Sequence, residues 1–492
     1  MTLPTPGPRV GGLTAIAGAL LAGQLYAGPS GPAATVPHSP GAPRPAATAF
    51  AGPDPNAPAT DPAALARRLA GPLADPALGS PAGLVEDALT GKVLYSARAE
   101  VLTTPASTVK LAVATAALET FGPAETITTR VVYSSIAPGG TLWLVGGGDP
   151  TLSATAAPGA YPALATLSDL AAQVRRAGIT SVSAVVGDGS AFTGPGLAAG
   201  WRDGYVAEGN VTPVSALEVS GGRVNPGVPS ASGGSDARSP DPTGLAAARF
   251  ADALRAAGVR VGATGTGPAP VATRQVAAVA SPPIPVLVQR MLTNSDNDIA
   301  ECLGRLVARR HGQPATFDGA AGAVLGVLRG QGVPLAGTAL RDVSGLSVDD
   351  RIAPATLVRL LRQAVLPGHP ELRAITSGLP VAGFSGTLGP RYLTPDAAAG
   401  AGRVRAKTGT LRTVTSLAGE VMTTDGRLLL FGFFAPVQDT GGTHAALDRV
   451  AAALGGCGCR AGPGGPGGPG GPGGPGGPGG PGGDGGTGQP GA

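Results

Sequence analysis

Lysine, cysteine and aromatic residues are all scarce in this chain of 492 residues. Of 35 basic residues three are lysines, Lys92, Lys110 and Lys407; arginine supplies the rest. The cysteines are Cys302, Cys457 and Cys459, and aromatics make up 3%. No Cys/His spacing matches a zinc site, so no metal or other cofactor is expected. Cys302 lies in an apolar-periodic stretch and reads as a buried thiol. Cys457-Gly458-Cys459 reads equally well as a small-loop disulfide or as two thiols in a tail. Dense Lys/Arg runs are absent, and 31 acidic residues leave a net charge of +4. With so few aromatics as well, nucleic-acid binding has little support. Beyond the first 27 residues no segment is long and apolar enough to cross a membrane.

The two ends differ from the middle. Arg9 precedes an apolar run from Val10 to Ala27, which fits a signal-peptide core or a short single-span anchor. Either puts the chain's work outside the cytoplasm, secreted, in the cell wall or in the periplasm, with the anchor reading tethering it to the membrane by its N-terminus. Of the chain's 82 glycines and 50 prolines, proline is dense in both flanks and glycine in the second. Residues 28–60 read as a Pro/Ala-rich linker. Residues 456–492 read as a Gly/Pro-rich tail whose Gly-Gly-Pro repeat, with glycine at two places of three, fits a flexible chain better than a triple helix.

Between the flanks the pattern is globular. A helix is expected over 61–74, a hairpin over 83–96 turning at Thr90-Gly91, and a helix from Ser107 to Phe121. Strands and helices alternate through 136–275: Thr141–Val145, Leu164–Ala177, Ser181–Val186, Ala246–Ala257, Val259–Val261. This suggests an inserted α/β-type domain. Helices follow at 284–292, 297–310, 315–329 and 355–364. Arg403–Val421 and Arg427–Pro436 read as consecutive strands turning at Thr424-Asp425-Gly426, and Ala445–Leu454 closes the fold. The expected domain therefore has two parts, 61–135 and 276–455, split by 136–275.

Two lysines stand in chemically meaningful places. Lys110 ends Ser107-Thr108-Val109-Lys110, and Lys407 opens Lys407-Thr408-Gly409-Thr410. Between them lies Ser295-Asp296-Asn297. Arginine stays protonated at all ordinary pH, whereas a desolvated lysine can surrender its proton. A composition that replaces lysine with arginine wherever charge suffices should spare a lysine that must titrate. A serine hydroxyl needs such a base to become a nucleophile. Residues three apart on a helix share a face, so Lys110 can reach Ser107. Ser295 can pass a proton to a leaving amine, and Asn297 can orient a substrate amide and hold Lys110. Lys407 adds positive potential. Thr408 and Thr410, with Gly409 between, offer hydroxyls to a carboxylate. The amides of Ser107 and Thr410 suit an oxyanion hole.

Each motif alone is common: a helix start, a cap, a hairpin edge. All three in this order, on a helix start, an inter-helix bend and a strand, are not. The chain resembles the D-alanyl-D-alanine carboxypeptidase/endopeptidases of the class C low-molecular-mass penicillin-binding proteins, over about residues 82–455. Further segments carry the likeness: Val85–Ser96 leading to Pro105–Lys110, Gly146-Gly147-Gly148-Asp149-Pro150, and Gly187-Asp188-Gly189-Ser190 with Trp201 downstream. So do Asp342-Val343-Ser344-Gly345-Leu346-Ser347 and Leu379-Pro380 before Ser385-Gly386-Thr387-Leu388. The resemblance implies an α+β, β-lactamase/transpeptidase-like domain, an antiparallel sheet flanked by helices and split by the insert. It implies peptidoglycan stem peptides as substrates and β-lactams as covalent inhibitors. The insert is shorter than in the larger family members.

Two rivals differ in kind. A β-lactamase-like hydrolase would release its penicilloyl group quickly, and such enzymes carry a downstream Glu-x-x-Leu-Asn that has no convincing match after Asn297. An inert wall-binding protein would not need Ser107, Lys110, Ser295, Asn297 and Lys407 together. The four histidines show no spacing that suggests a Ser-His-Asp triad. Asp149, Asp188 and Trp201 read as turn and core residues of the insert. The insert is expected to serve action on polymeric peptidoglycan and to be dispensable for slow β-lactam acylation.

Overall fold

The computed structural model describes residues 53–135, 139–156, 163–226 and 236–460. The apolar run at 10–27, most of the 28–60 linker and the Gly-Gly-Pro repeat lie outside the described residues. Helix α1 (Pro62–Leu73) begins on Asp61, whose side chain accepts from the Ala63 amide, with proline in the first turn. Strands β1 (Ala82–Asp87) and β2 (Val93–Ala97) form the hairpin. Its turn is set by Asp87, whose carboxylate accepts from both the amide and the hydroxyl of Thr90. A short 3-10 turn, Ala106–Val109, runs into α2 (Lys110–Thr120).

Next come β3 (Thr128–Ser134), β4 (Thr141–Val145), α3 (Leu167–Arg176), β5 (Ser181–Asp188), α4 (Pro242–Ala256), β6 (Arg260–Thr266) and β7 (Arg274–Ala280). Five helices follow: α5 (Ile284–Asn294), α6 (Asn297–Arg310), α7 (Phe317–Gly330), α8 (Pro354–Val365) and α9 (Arg373–Gly378). The chain closes with β8 (Val404–Thr410), β9 (Val414–Met422), β10 (Leu428–Pro436) and α10 (Thr440–Gly455).

Two sheets result. The first is antiparallel, in the order β2-β1-β10-β9-β8, so strands from before and after the insert lie side by side. Its central strands β9 and β10 are buried on both faces along nearly their whole length. One face packs against α2 and the α5–α9 helices, through Leu84, Ala418, Leu430 and Phe434. The other packs against α1 and α10, through Val85, Leu417, Phe431 and Phe433. Helix α2 is buried from Lys110 to Leu118, as a helix apolar on all sides must be. That placement takes Lys110 out of water.

The second sheet has the order β6-β5-β4-β3-β7, with β4, β5 and β6 parallel and β3 and β7 antiparallel to their neighbours. Helices α3 and α4 cover it over Leu142, Leu144, Val185 and Phe250. The α+β class, with a helix-flanked antiparallel sheet split by an α/β unit, is therefore the observed one.

Two expectations need correction. The bounds 136–275 cut through the second sheet: β3 precedes them and β7 runs past them to Ala280, because both strands hydrogen-bond into that sheet. The unit spans about 128–280. The stretch 403–421 is two strands, since Leu411-Arg412-Thr413 reverses the chain with the Leu411 amide donating to Val414. Cys457 and Cys459 are disulfide-bonded, and Cys302 is free and buried.

Candidate active site

The three motifs meet where the N-terminus of α2, the α5–α6 bend and β8 converge. Ser107 sits in the 3-10 turn, just after Ala106, whose φ of 48° is unusual for a residue with a Cβ. Two glycines allow the surrounding backbone to close in. A Cβ on Gly409 of β8 would lie 3.0 Å from the Ser107 nitrogen and 2.9 Å from the Pro105 oxygen. A Cβ on Gly345 (φ +84°) would lie 2.0 Å from the Ala106 oxygen. Ser416 on β9 secures the same turn by donating to the Pro105 carbonyl at 2.6 Å.

Lys110 has no exposed surface. Its Nζ lies 3.1 Å from Ser107 Oγ, 2.6 Å from Asn297 Oδ1 and 2.6 Å from the Ser344 carbonyl oxygen. Burial pulls its pKa down from 10.5 to about 8, against the opposing pull of Asp342, Glu301, Asp296 and Asp298. Lys407, equally buried, donates to Ser295 Oγ at 2.8 Å and to the Thr408 carbonyl at 2.7 Å. Burial, and then repulsion by Lys110, holds its pKa well below the ordinary lysine value. Each of the two buried amines thus lies on a different serine.

The bend presents these side chains for a local reason. Ser295 ends α5 in the left-handed conformation (φ 57°), and Asp296 then caps α6 by accepting from the Ile299 amide. Asn297 is the first residue of α6. Its Nδ2 donates to the Asn210 carbonyl, from the second-sheet unit, at 2.8 Å.

On β8, Thr408 Oγ1 lies 2.8 Å from Thr387 Oγ1, and Thr410 Oγ1 lies 2.8 Å from His444 Nε2. His444 is half-buried; burial, then Arg391, lowers its pKa. All eight expected site residues therefore lie on the three segments that these contacts bring together. His444 was passed over, as nothing in its sequence surroundings points across to Thr410. Of Asp342 and Ser344, read as rim or turn residues, Ser344 accepts from Lys110 through its carbonyl oxygen, and Asp342 is near enough to raise the Lys110 pKa. Trp201, read as an insert-core residue, donates to Asp342 Oδ2 at 2.6 Å.

Among the described residues one His/carboxylate grouping, Glu119, His369 and Glu371, has ligand spacing. It lies at the other end of α2, nine residues from Lys110 and so about 14 Å along the helix.

A helix-flanked antiparallel sheet with a buried lysine on each of two serines defines a serine acyl hydrolase of the transpeptidase-like type. Comparison with known proteins agrees. The model of the D-Ala-D-Ala carboxypeptidase 3 (S13) family matches residues 65–239 and 235–454. A carboxypeptidase of Mycobacterium tuberculosis is 40% identical over 390 residues, covering 78% of this chain and 82% of its own. Carboxypeptidase DacB of Mycolicibacterium smegmatis is 38% identical over 462 residues, 91% and 96% of the two chains. Penicillin-binding protein 4 (DacB) of Haemophilus influenzae has the same fold, with a TM-score of 0.64 at 23% identity, covering 80% of this chain and 98% of that one. The chain belongs to the D-Ala-D-Ala carboxypeptidase 3 (S13) family and is a serine peptidase. Its action as a cell-wall peptidase is extracytoplasmic. Among the described residues no helix is long and apolar enough to cross a membrane.

Proposed function

We propose that Ser107 is the nucleophile of a D-Ala-D-Ala carboxypeptidase acting on peptidoglycan stem peptides, and that Lys110 is its base. The observation that carries this reading is the 3.1 Å contact between Ser107 Oγ and a fully buried Lys110 amine. Lys110 takes the hydroxyl proton as Oγ bonds to the carbonyl carbon of the penultimate D-alanine. The amides of Ser107 and Thr410 stabilise the oxyanion. The C–N bond then breaks, and the leaving amine of the terminal D-alanine receives its proton through Ser295, with Lys407 behind it. Asn297 holds Lys110 and the substrate amide. Lys407, Thr408, Gly409 and Thr410 receive the terminal carboxylate. Water hydrolyses the ester and restores Ser107.

β-Lactams acylate the same serine, since their ring amide reaches it as the peptide does. The Haemophilus influenzae penicillin-binding protein 4 has been solved with a β-lactam. Mass spectrometry after incubation with a penicillin tests the reading. A stable adduct on the Ser107 peptide, absent from Ser107→Ala, is expected. An adduct on another serine overturns the assignment, and rapid loss of the adduct favours a β-lactamase.

A further inference from the structure

A neutral amine has two N–H donors and one lone pair. For Lys110 to act as a base, the lone pair must face Ser107 Oγ. Its two other partners, Asn297 Oδ1 and the Ser344 carbonyl, are suited to take the two N–H groups. The aim of the base therefore depends on what holds these two acceptors.

Both are held by the second-sheet unit. Beside Asn297, the buried Asp298 accepts from the Thr212 amide at 2.7 Å and pairs with Arg238 at 3.0 Å. Arg238, itself buried, also donates to the Gly209 carbonyl at 3.1 Å and to the Gly221 carbonyl. These bonds fix the 209–212 segment that binds Asn297 through the Asn210 carbonyl. Beside Ser344, Asp342 accepts from the Gly345 and Ser347 amides, each at 2.7 Å, and from Trp201 Nε1. Trp201 is seated edge-on against Phe317, with ring centroids 5.2 Å apart. Glu301 on α6 completes the support by accepting from the Ser344 amide at 2.8 Å.

We propose that Trp201 and Arg238 are positioning residues for the catalytic base: through Asp342 and Asp298 the insert fixes the two acceptors that aim Lys110 at Ser107. This goes beyond the proposed function, on which it rests, and reverses the expectation that acylation survives without the insert. The titratable groups around Lys110 are Asp342, Glu301, Asp296, Asp298 and Lys407. Losing Arg238 lets the buried Asp298 take up a proton, since burial already raises its pKa to about 6 against the pull of Arg238, so little net charge is gained beside Lys110. Losing the Trp201 donor bares Asp342, which favours protonated Lys110.

The test uses the full chain, a fluorescent penicillin and a pH series. Trp201→Phe keeps the ring on Phe317 and removes only the N–H; Arg238→Met keeps the bulk. Each should lower the acylation rate constant by roughly ten- to a hundredfold, as small misplacements of reacting groups do. Trp201→Phe should also move the rising limb of the pH profile to higher pH. Phe250→Leu, in the core of the second sheet, gives a matched loss of stability and should leave the limb in place. Should Arg238→Met fail to fold, Trp201→Phe alone decides. Profiles of Trp201→Phe that superpose on wild type, after correction for folded fraction, overturn the inference. If Lys110→Arg still acylates normally, it is the assignment of the base that fails.

Discussion

The Lys110 amine lies 2.6 Å from Asn297 Oδ1, although 187 positions separate the two residues. This bond joins the first motif to the second. It ties the helix that follows Ser107 to a bend that the second-sheet unit also grips. The first prediction concerns that amine. Lys110→Arg keeps a positive charge but gives up an accessible neutral form. Acylation by penicillin should fall by about 10²–10⁴-fold, the usual worth of general-base help. Stopped-flow measurement of the labelling rate checks it, and a rate within threefold of wild type would refute the role.

The pH dependence follows from the same residue. Burial lowers Lys110 to about 8, so its protonated form dominates below that value. The base form gains about tenfold per pH unit below 8 and saturates above it. Acylation should therefore rise from pH 6 to pH 8 and then level off. A flat profile from pH 6 to pH 9 would mean that Lys110 is not the titrating group.

Much of this site was legible in the sequence because its parts are local. Ser107 and Lys110 share one helical turn. Ser295-Asp296-Asn297 contains its own C-cap and N-cap chemistry, and Lys407 to Thr410 lie on one strand. What stayed hidden is carried across the chain. His444 meets Thr410 only because α10 packs on the first sheet, and Trp201 meets Asp342 across 141 positions. The edges of the second sheet were misplaced for a related reason. Strand β3 continues the local pattern of the first part, and only its pairing with β4 and β7 assigns it to the other sheet. The break at Leu411-Arg412-Thr413 carries no glycine or proline to announce it.

A third prediction tests the join between the two parts of the split domain. Asp87, before the insert, forms a buried two-point pair with Arg427, after it, at 2.6 and 2.8 Å. Burial raises the pKa of Asp87, but the Arg427 and Thr90 bonds outweigh it and hold it below the ordinary value. The folded carboxyl is thus more acidic than the unfolded one. Its stabilisation is full above about pH 4 and is lost as pH falls through the folded value. Asp87→Asn strands the guanidinium and should cost about 3–5 kcal/mol. Denaturant unfolding at pH 7 measures it, and a loss under about 1 kcal/mol would contradict the argument. The deficit should shrink in acid, where the wild-type pair is also lost.

The last prediction concerns what the cleft reads in its substrate. Lys407 and the hydroxyls of Thr408 and Thr410 converge on the proposed seat of the terminal carboxylate. Each charge-assisted bond there contributes on the order of 1.5–3 kcal/mol. A peptide ending in D-Ala-D-Ala should be cleaved far better than the same peptide amidated at its end. Thr410→Val should erase much of that preference, mainly by slowing the acid substrate. His444 gives an independent handle. Its Nε2 lies 2.8 Å from Thr410 Oγ1, and burial and Arg391 lower its pKa, which favours the neutral ring. A neutral ring that accepts from Thr410 would turn the hydroxyl proton away from the substrate; one that donates frees that proton for the carboxylate. In the donating arrangement His444→Phe lowers the acid-over-amide preference without touching acylation by penicillin at saturating concentration. Steady-state rates on the peptide pair decide the matter. Equal cleavage of acid and amide by wild type would remove the carboxylate from the recognition scheme, and would turn attention to internal cross-links as the substrate.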